Sequence, residues 1–242
     1  VGCQITLDYN PGLLSGYAHE VGSRMASRVV CFPAARWAEE GAALVAETLV
    51  AALDERPVAT LMLAGGGTPR PLYGALAGHD EVDWSRVHFF WGDERMVPPI
   101  HEDSNFRMAW ETLLKPLGIG PNDRRVHPML TDDEAQINAA RYALEIRRFF
   151  DLTPREVPRF DVVLLGMGRD GHTASLFPGT AALEETQRLV VANEVPQQKS
   201  TRLTVTLPLL DRARAVIVLV QGANKAARLA EVLAPGRAVP GH

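Results

Sequence analysis

One histidine in this sequence has the surroundings of a catalytic residue. His172 lies in the run GMGRDGHTASLFPG (166–179), among closely spaced glycines and two residues after Asp170. An imidazole can take a proton from water near neutral pH, because its unperturbed pKa is ~6.5. Asp170 could orient the ring, or it could cap the turn. A lone histidine is more often structural, but a position just after a predicted strand favours a general base.

The same run allows two other interpretations. Ser175 could be a nucleophile, but no G-x-S-x-G elbow surrounds it, and a polar residue in the first turn of a short helix from Thr173 is the commoner explanation. The glycines also match the dinucleotide fingerprint G-x-G-x-x-G. That match is disfavoured because Pro178 ends the helix early, and because Asn193, rather than an acidic residue, follows the next predicted strand.

A second glycine-rich run could hold an anion. GGGTP at residues 65–69 follows a predicted strand and opens a helix, with Pro69 in its first turn. The backbone N–H groups of Gly66 and Gly67, the Thr68 hydroxyl and the helix N-terminus together suit a phosphate. The alternative is a tight turn that needs glycine for its backbone angles alone. The run is not a Walker loop, since no Gly-Lys-Ser/Thr follows.

Charged residues follow two further predicted strands. Asp93, Glu94 and Arg95 come directly after the strand at Val87–Trp91, and they either face the binding edge or form a solvated loop with a local ion pair. Lys199 and Arg202 flank the start of a later strand and could clamp an acidic group, although taken alone they fit surface charges. No pair of histidines or cysteines has metal-ligand spacing, so no metal is expected.

These runs belong to a chain in which apolar strands alternate with amphipathic helices. Three buried strands, at 59–64, 162–165 and Ala215–Val220, each end in a glycine turn. The other predicted strands lie at 28–32, Val87–Trp91, 189–192 and 202–206. The predicted helices are 34–53, 69–77, 105–114 with Ser104 as N-cap, 132–150 capped by Thr131 or Asp132, and 223–233.

The alternation predicts an α/β fold with a single doubly wound, mainly parallel sheet and helices on both faces, of the Rossmann-like type. The three glycine turns should then meet at one edge, where ligands bind in open sheets. We expect one domain over residues 25–242. Residues 1–24 are interpreted as a tag or leader and left out of the fold, because GSRM at 22–25 resembles a cloning scar and no signal peptide is present.

Composition argues against several classes of protein. A net charge of −4 disfavours a nucleic-acid binder, and no apolar run is long enough to span a membrane. Cys3 and Cys31 are too few for a disulfide framework, and the apolar neighbours of Cys31 predict a buried, inert thiol in a reducing compartment. We therefore expect a cytoplasmic protein. Its expected oligomeric state is a monomer or a weak homodimer.

Taken together, five stretches resemble the 6-phosphogluconolactonase family, a branch of the glucosamine-6-phosphate isomerase/deaminase superfamily. They occur in the family's order and cover nearly all of residues 25–233. They are LAGGGTPRPLYGAL (63–76), WGDERMVP (91–98) with SNFRMAWETLL (104–114), LLGMGRDGHTASLFPG (164–179), KSTRLTVTLPLL (199–210) and QGANKAARLAEVL (221–233).

The resemblance implies hydrolysis of 6-phospho-D-glucono-1,5-lactone to 6-phosphogluconate in the oxidative pentose phosphate pathway, without a cofactor. It implies that His172 is the base, and that Arg95 or backbone N–H groups near Gly168 stabilise the oxyanion. It also implies that the phosphate is held by the turn at Gly66, Gly67 and Thr68 together with Lys199 and Arg202. Asp93, Asn105 and Arg169 complete the expected substrate-binding residues, and Asp170 joins the catalytic group.

Two alternatives stay open. The deaminases of the superfamily carry a glutamate shortly after the histidine, in a GHIAFNEPG-like run, whereas this chain has Leu176 and Phe177 in GHTASLFPG. The absence of that carboxylate disfavours a glucosamine-6-phosphate deaminase or isomerase. The other alternative is a non-catalytic sugar-phosphate sensor that keeps the phosphate site and lacks the chemistry.

Overall fold

The computed structural model describes residues 3–9 and 27–234. The strands in these ranges are β1 (Cys3–Tyr9), β2 (Ser27–Pro33), β3 (Ala59–Leu63), β4 (Val87–Trp91), β5 (Asp93–Arg95), β6 (Val126–His127), β7 (Val162–Gly166), β8 (Val190–Val195), β9 (Ser200–Val205) and β10 (Ala215–Val220). The α-helices are α1 (Trp37–Glu55), α2 (Pro69–Leu76), α3 (Asn105–Ala109), α4 (Ala135–Phe149), α5 (Leu207–Leu210) and α6 (Ala226–Leu233).

Within the described ranges, the larger sheet has seven strands in the order β2-β1-β10-β7-β3-β4-β6. The five strands from β10 to β6 in this order all pair in parallel, which confirms the predicted α/β fold with a mainly parallel sheet. Strands β3 and β7 are buried along almost their whole length. Apolar residues dominate both strands because both of their faces are buried.

Strand β1 lies in the segment that the sequence analysis left out of the fold. Cys3–Tyr9 pairs antiparallel with both β2 and β10, so that exclusion was wrong for this strand. Residues 10–26 lie outside the described part, as do residues 235–242 at the end of the predicted domain.

A second, smaller sheet is antiparallel and has the strand order β5-β9-β8. Strands close to β8 and β9 were predicted from the sequence, but a second sheet was not. Strand β5 is a run of three charged residues, Asp93–Arg95, which carries no apolar alternation to mark it as a strand.

The long helices lie close to their predicted positions, and the N-cap of α3 is confirmed. The Ser104 hydroxyl accepts a hydrogen bond from the Arg107 N–H at 3.1 Å. Helix α4 begins later than predicted, after Glu134, and neither predicted cap is present. The Thr131 hydroxyl donates to the Val97 carbonyl at 2.6 Å, and Asp132 pairs with Arg141 at 2.8 Å. Both side chains are thus engaged elsewhere.

The short helix predicted from Thr173 is absent, and this prediction was wrong. Residues 171–180 form a series of turns, with an isolated bridge between Thr173 and Leu176. The backbone is left-handed at Gly171 (φ +91°), Ala174 (φ +47°) and Gly179 (φ +76°), and left-handed residues interrupt an α-helix.

Two expectations from composition concern exposure. Cys31 is exposed on β2, so the prediction of a buried thiol was wrong. In the part of the chain that the structure describes, no helix has both the length and the apolar character needed to cross a membrane.

Candidate active site

Three glycine turns meet at the carboxyl ends of β3, β7 and β10, as predicted, and border one cleft. The cleft has a volume of about 310 Å³, which suits a small molecule. The predicted site residues that line it are Gly66, Gly67, Thr68, Asp93, Arg95, Gly168, His172 and Arg202.

His172 lies in this cleft with its ring held by Asp170. The distance from Nδ1 to Asp170 Oδ1 is 2.6 Å, and the His172 backbone N–H donates to the same oxygen at 3.2 Å. Partial burial raises the pKa of the Asp170 carboxyl, but the hydrogen bonds from His172 outweigh it and leave this pKa below its ordinary value. An ionised carboxylate cannot donate a proton, so in the neutral imidazole this hydrogen bond requires the ring proton on Nδ1, and Nε2 is then the acceptor.

Gly168 allows the histidine to take this position. A Cβ atom there would lie 2.2 Å from His172 Nδ1 and 2.6 Å from Asp170 Oδ1. The Gly168 N–H donates to the His172 carbonyl at 2.8 Å. Because this N–H already has a partner, Gly168 itself offers no free N–H to an oxyanion, and it acts through the shape of the loop.

Glycine is required at two positions of the first turn for different structural reasons. Gly66 is left-handed, with φ at +88°. Gly65 is required for packing, because a Cβ atom would lie 2.0 Å from Asn105 Oδ1. Gly67 meets neither constraint, and a Cβ atom there would have nothing within 4 Å. Backbone angles therefore explain Gly66 but not the whole run.

Two arginines face each other beside the cleft. Arg95 on β5 is directly opposite Arg202 on β9 in the strand register. Burial lowers the pKa of Arg202, and the positive charge of Arg95 lowers it further. Arg95 donates to the Asp103 carbonyl at 2.7 Å, while Arg202 donates to the Gln198 side chain. Paired positive charges of this kind favour the binding of an anion between them.

The acidic residues of β5 are structural neighbours of Arg95 and do not form a solvated loop. Asp93 and Glu94 are both buried. Asp93 accepts hydrogen bonds from Asn105 Nδ2 at 3.0 Å and from the Ser175 hydroxyl at 2.6 Å. Asn105, predicted to bind substrate, is absent from the cleft lining and holds Asp93 in place.

Glu94 points to the start of α3, where its carboxylate accepts from the backbone N–H groups of Asn105 and Phe106, each at 2.8 Å. Burial raises the pKa of Glu94, while these hydrogen bonds oppose the shift. Glu94 therefore anchors the N-terminus of α3 against β5.

The structure places two predicted cations outside the cleft lining and adds one that was missed. Lys199 is exposed, with a left-handed backbone at the end of the turn Pro196–Gln198, and Arg169 is exposed as well. Lys225, in the turn after β10, lines the cleft instead. Burial lowers the pKa of Lys225, and the charge of Arg169 contributes. The third glycine turn was the available signal for Lys225, since it was predicted to lie at the same edge.

Known proteins resemble this chain over most of its length. The family described as "Glucosamine-6-phosphate isomerases/6-phosphogluconolactonase" matches residues 33–242. A 6-phosphogluconolactonase of Nostoc sp. is 42% identical over 192 residues, which are 79% of this chain and 78% of that protein. One of Synechocystis sp. is 43% identical over 198 residues, 81% of this chain and 80% of that protein.

Solved structures agree with the sequence comparisons. The 6-phosphogluconolactonase from Thermotoga maritima has a TM-score of 0.74 and 31% identity, covering 85% of this chain and 89% of its own. That from Trypanosoma cruzi has a TM-score of 0.75 and 30% identity, covering 87% and 86%. The chain therefore belongs to the glucosamine-6-phosphate isomerase/6-phosphogluconolactonase family.

Proposed function

We propose that this protein is a 6-phosphogluconolactonase, which hydrolyses 6-phospho-D-glucono-1,5-lactone to 6-phosphogluconate in the oxidative pentose phosphate pathway. The observation that carries the proposal is the single cleft that combines the His172–Asp170 pair with the facing guanidinium groups of Arg95 and Arg202. The base suits the lactone carbonyl, and the neighbouring cations suit the oxyanion that forms there and the phosphate. The curated relatives named 6-phosphogluconolactonase support the same activity.

In the proposed mechanism, His172 Nε2 takes a proton from a water molecule while the oxygen of that water attacks C1 of the lactone. The carbonyl oxygen becomes an oxyanion, which the Arg95 guanidinium stabilises. When the intermediate collapses, the bond between C1 and the ring oxygen breaks, and His172 returns its proton to that oxygen. A lactone is an activated ester, so no covalent enzyme intermediate is needed.

The phosphate is assigned to the first glycine turn and to the cations that line the cleft with it. The first glycine turn presents Gly66, Gly67 and the Thr68 hydroxyl, and Thr68 makes no side-chain cap to α2. Arg202 and Lys225 supply the positive charge, with Lys225 in the role that the sequence analysis gave to Lys199. Binding energy from the phosphate would then fix C1 close to His172.

The deaminase alternative requires a carboxylate that this loop lacks. Leu176 and Phe177 occupy the corresponding positions, and both are buried. Phe177 stacks on the His172 ring with 3.8 Å between centroids. The loop therefore offers an apolar wall beside the base rather than a second acid.

A hydrolysis assay tests the proposal. Freshly generated lactone is added to the unmodified protein in a pH-stat, where each hydrolysed molecule releases a proton. We expect a rate well above the uncatalysed one, and no ammonia from glucosamine 6-phosphate. Ammonia release would support the deaminase, and binding of 6-phosphogluconate without turnover would support a sensor. The cytoplasmic location and the monomer or weak homodimer stay predictions.

A further inference from the structure

Ser175 is fully buried, although it belongs to the loop that carries His172. Its three polar groups contact three different strands of the smaller sheet. The hydroxyl donates to Asp93 Oδ2 on β5 at 2.6 Å. The backbone N–H donates to Thr204 Oγ1 on β9 at 3.2 Å, and the carbonyl accepts from Asn193 Nδ2 on β8 at 2.8 Å. One residue therefore joins the loop to the whole width of this sheet.

The partners of Ser175 share a sheet face with the arginines of the cleft. Side chains two residues apart on a strand point to the same side, and residues paired in register are neighbours. The register places eight side chains on this face: Asp93, Arg95, Val191, Asn193, Val195, Ser200, Arg202 and Thr204. The contacts of Ser175 thus attach the base to the same surface that carries the guanidinium groups.

The loop needs such an attachment because its backbone is unfavourable on its own. Ala174, next to Ser175, is a non-glycine residue in the left-handed region, which costs on the order of 1 kcal/mol. Only surrounding contacts can keep that conformation. The hydrogen bonds of Ser175 connect the neighbouring residue to the smaller sheet, and Asn193 adds a second point of attachment at Thr180 Oγ1, 3.0 Å away.

We propose that Ser175 is a positioning residue that fixes the His172 loop to the smaller sheet and so sets the base relative to Arg95 and Arg202. This inference rests on the proposed function. A nucleophilic role does not fit, since the Ser175 hydroxyl is buried, donates to Asp93 and is absent from the cleft lining.

The test compares Ser175→Ala with a matched pair at Thr204. Thr204→Ser keeps the hydroxyl that accepts from the Ser175 backbone N–H. Thr204→Val keeps the shape of the side chain and removes that acceptor. For Ser175→Ala we expect kcat for lactone hydrolysis to fall about ten- to a hundredfold, because small displacements of a base are costly. The KM should change by no more than about twofold, since the phosphate contacts remain. Thr204→Val should also lower kcat, whereas Thr204→Ser should keep the kcat of the wild type.

A second measurement reads the loop without relying on activity. Hydrogen–deuterium exchange of residues 172–180 in the unliganded protein should become faster in Ser175→Ala and Thr204→Val, while the exchange of β3 and β7 stays unchanged. Wild-type kcat and exchange in Ser175→Ala would overturn the inference, and so would faster exchange over the whole protein. A covalent adduct on Ser175 of the wild type would overturn it too. If the wild type failed to hydrolyse the lactone, the proposed function would fall, and the exchange of the loop would still decide whether Ser175 fixes it.

Discussion

At the scale of single residues, the position of the base depends on Gly168, which has no side chain of its own. The ring of His172 and the carboxylate of Asp170 occupy the space where a side chain at residue 168 would lie. Asp170 in turn holds the ring through Nδ1. The reactivity of one nitrogen atom therefore depends on the absence of a methyl group.

Replacing that glycine provides a direct test. In Gly168→Ala, the new Cβ must displace the His172–Asp170 pair, so we expect kcat to fall by about two orders of magnitude. Steady-state kinetics of lactone hydrolysis measure the effect. Gly74→Ala on α2 is the matched control, because a Cβ atom there has nothing within 4 Å. Equal kinetics for the two variants would contradict the role of Gly168.

A second prediction at this scale separates two lysines. Lys225 lines the cleft and Lys199 does not, so Lys225→Gln should raise the KM about tenfold or more, whereas Lys199→Gln should leave it nearly unchanged. With a lactone that lacks the phosphate, the effect of Lys225→Gln should largely disappear. The phosphate assignment would be wrong if Lys199→Gln had the larger effect, or if both lactones responded alike.

At the scale of elements, two histidines lie next to each other at the β6 edge of the larger sheet. His88 Nδ1 on β4 lies 3.0 Å from His127 Nε2 on β6, and His127 Nδ1 lies 2.8 Å from Glu145 on α4. The His127 ring stacks on Phe90 with 4.3 Å between centroids. Burial is the main cause that lowers the pKa of His88 to about 4. The charges of His127 and of the arginines just before β6 contribute to the same shift.

This pKa predicts how stability depends on pH. In the unfolded chain His88 binds a proton below about pH 6.5, whereas in the folded protein it stays neutral down to about pH 4. The unfolded state therefore binds more protons in this window, and the free energy of unfolding falls as the pH is lowered through it. Urea denaturation at several pH values should show that the free energy of unfolding depends less on pH in His88→Gln than in the wild type. Substitution of an exposed histidine, His101→Gln, should leave the pH dependence of the wild type. An unchanged dependence in His88→Gln would refute the assignment.

At the scale of the whole molecule, the two ends of the parallel strands have different tasks. The carboxyl ends form the cleft, and the amino ends are joined by a buried carboxylate. Asp161 accepts from the backbone N–H and hydroxyl of Thr60, at 2.9 and 2.8 Å, and pairs with Arg56 at 2.7 Å and Arg214 at 3.3 Å. These contacts connect β3, β7 and the start of β10.

Removing this carboxylate should affect stability without affecting catalysis. Asp161→Ala leaves the buried Thr60 N–H without its acceptor and two arginines without their ion-pair partner, so we expect the free energy of unfolding to fall by about 3 kcal/mol. The kcat at a temperature well below the unfolding midpoint should stay that of the wild type, because the cleft lies at the other end of the strands. The exposed Asp211→Ala controls for loss of a surface charge. A large loss of kcat would show that the two ends are coupled.

The sequence was sufficient for features that depend on local pattern. Apolar runs such as Ala215–Val220 predict buried parallel strands, and glycine turns at their ends predict one ligand edge. Features that depend on tertiary contacts were missed. Strand β5 has no apolar alternation, the cleft lysine was placed at Lys199 rather than Lys225, and the turns of the His172 loop depend on Ser175 contacts that no local pattern reveals.

The most direct test of the account is the effect of His172→Ala on lactone hydrolysis, measured beside the binding of 6-phosphogluconate by calorimetry. Loss of the base should lower kcat by about 10²- to 10⁴-fold, while the dissociation constant of 6-phosphogluconate changes little, because the glycine turn, Arg202 and Lys225 remain. The exposed His101→Ala should behave as the wild type. Wild-type turnover in His172→Ala would contradict the central claim that this imidazole activates the water.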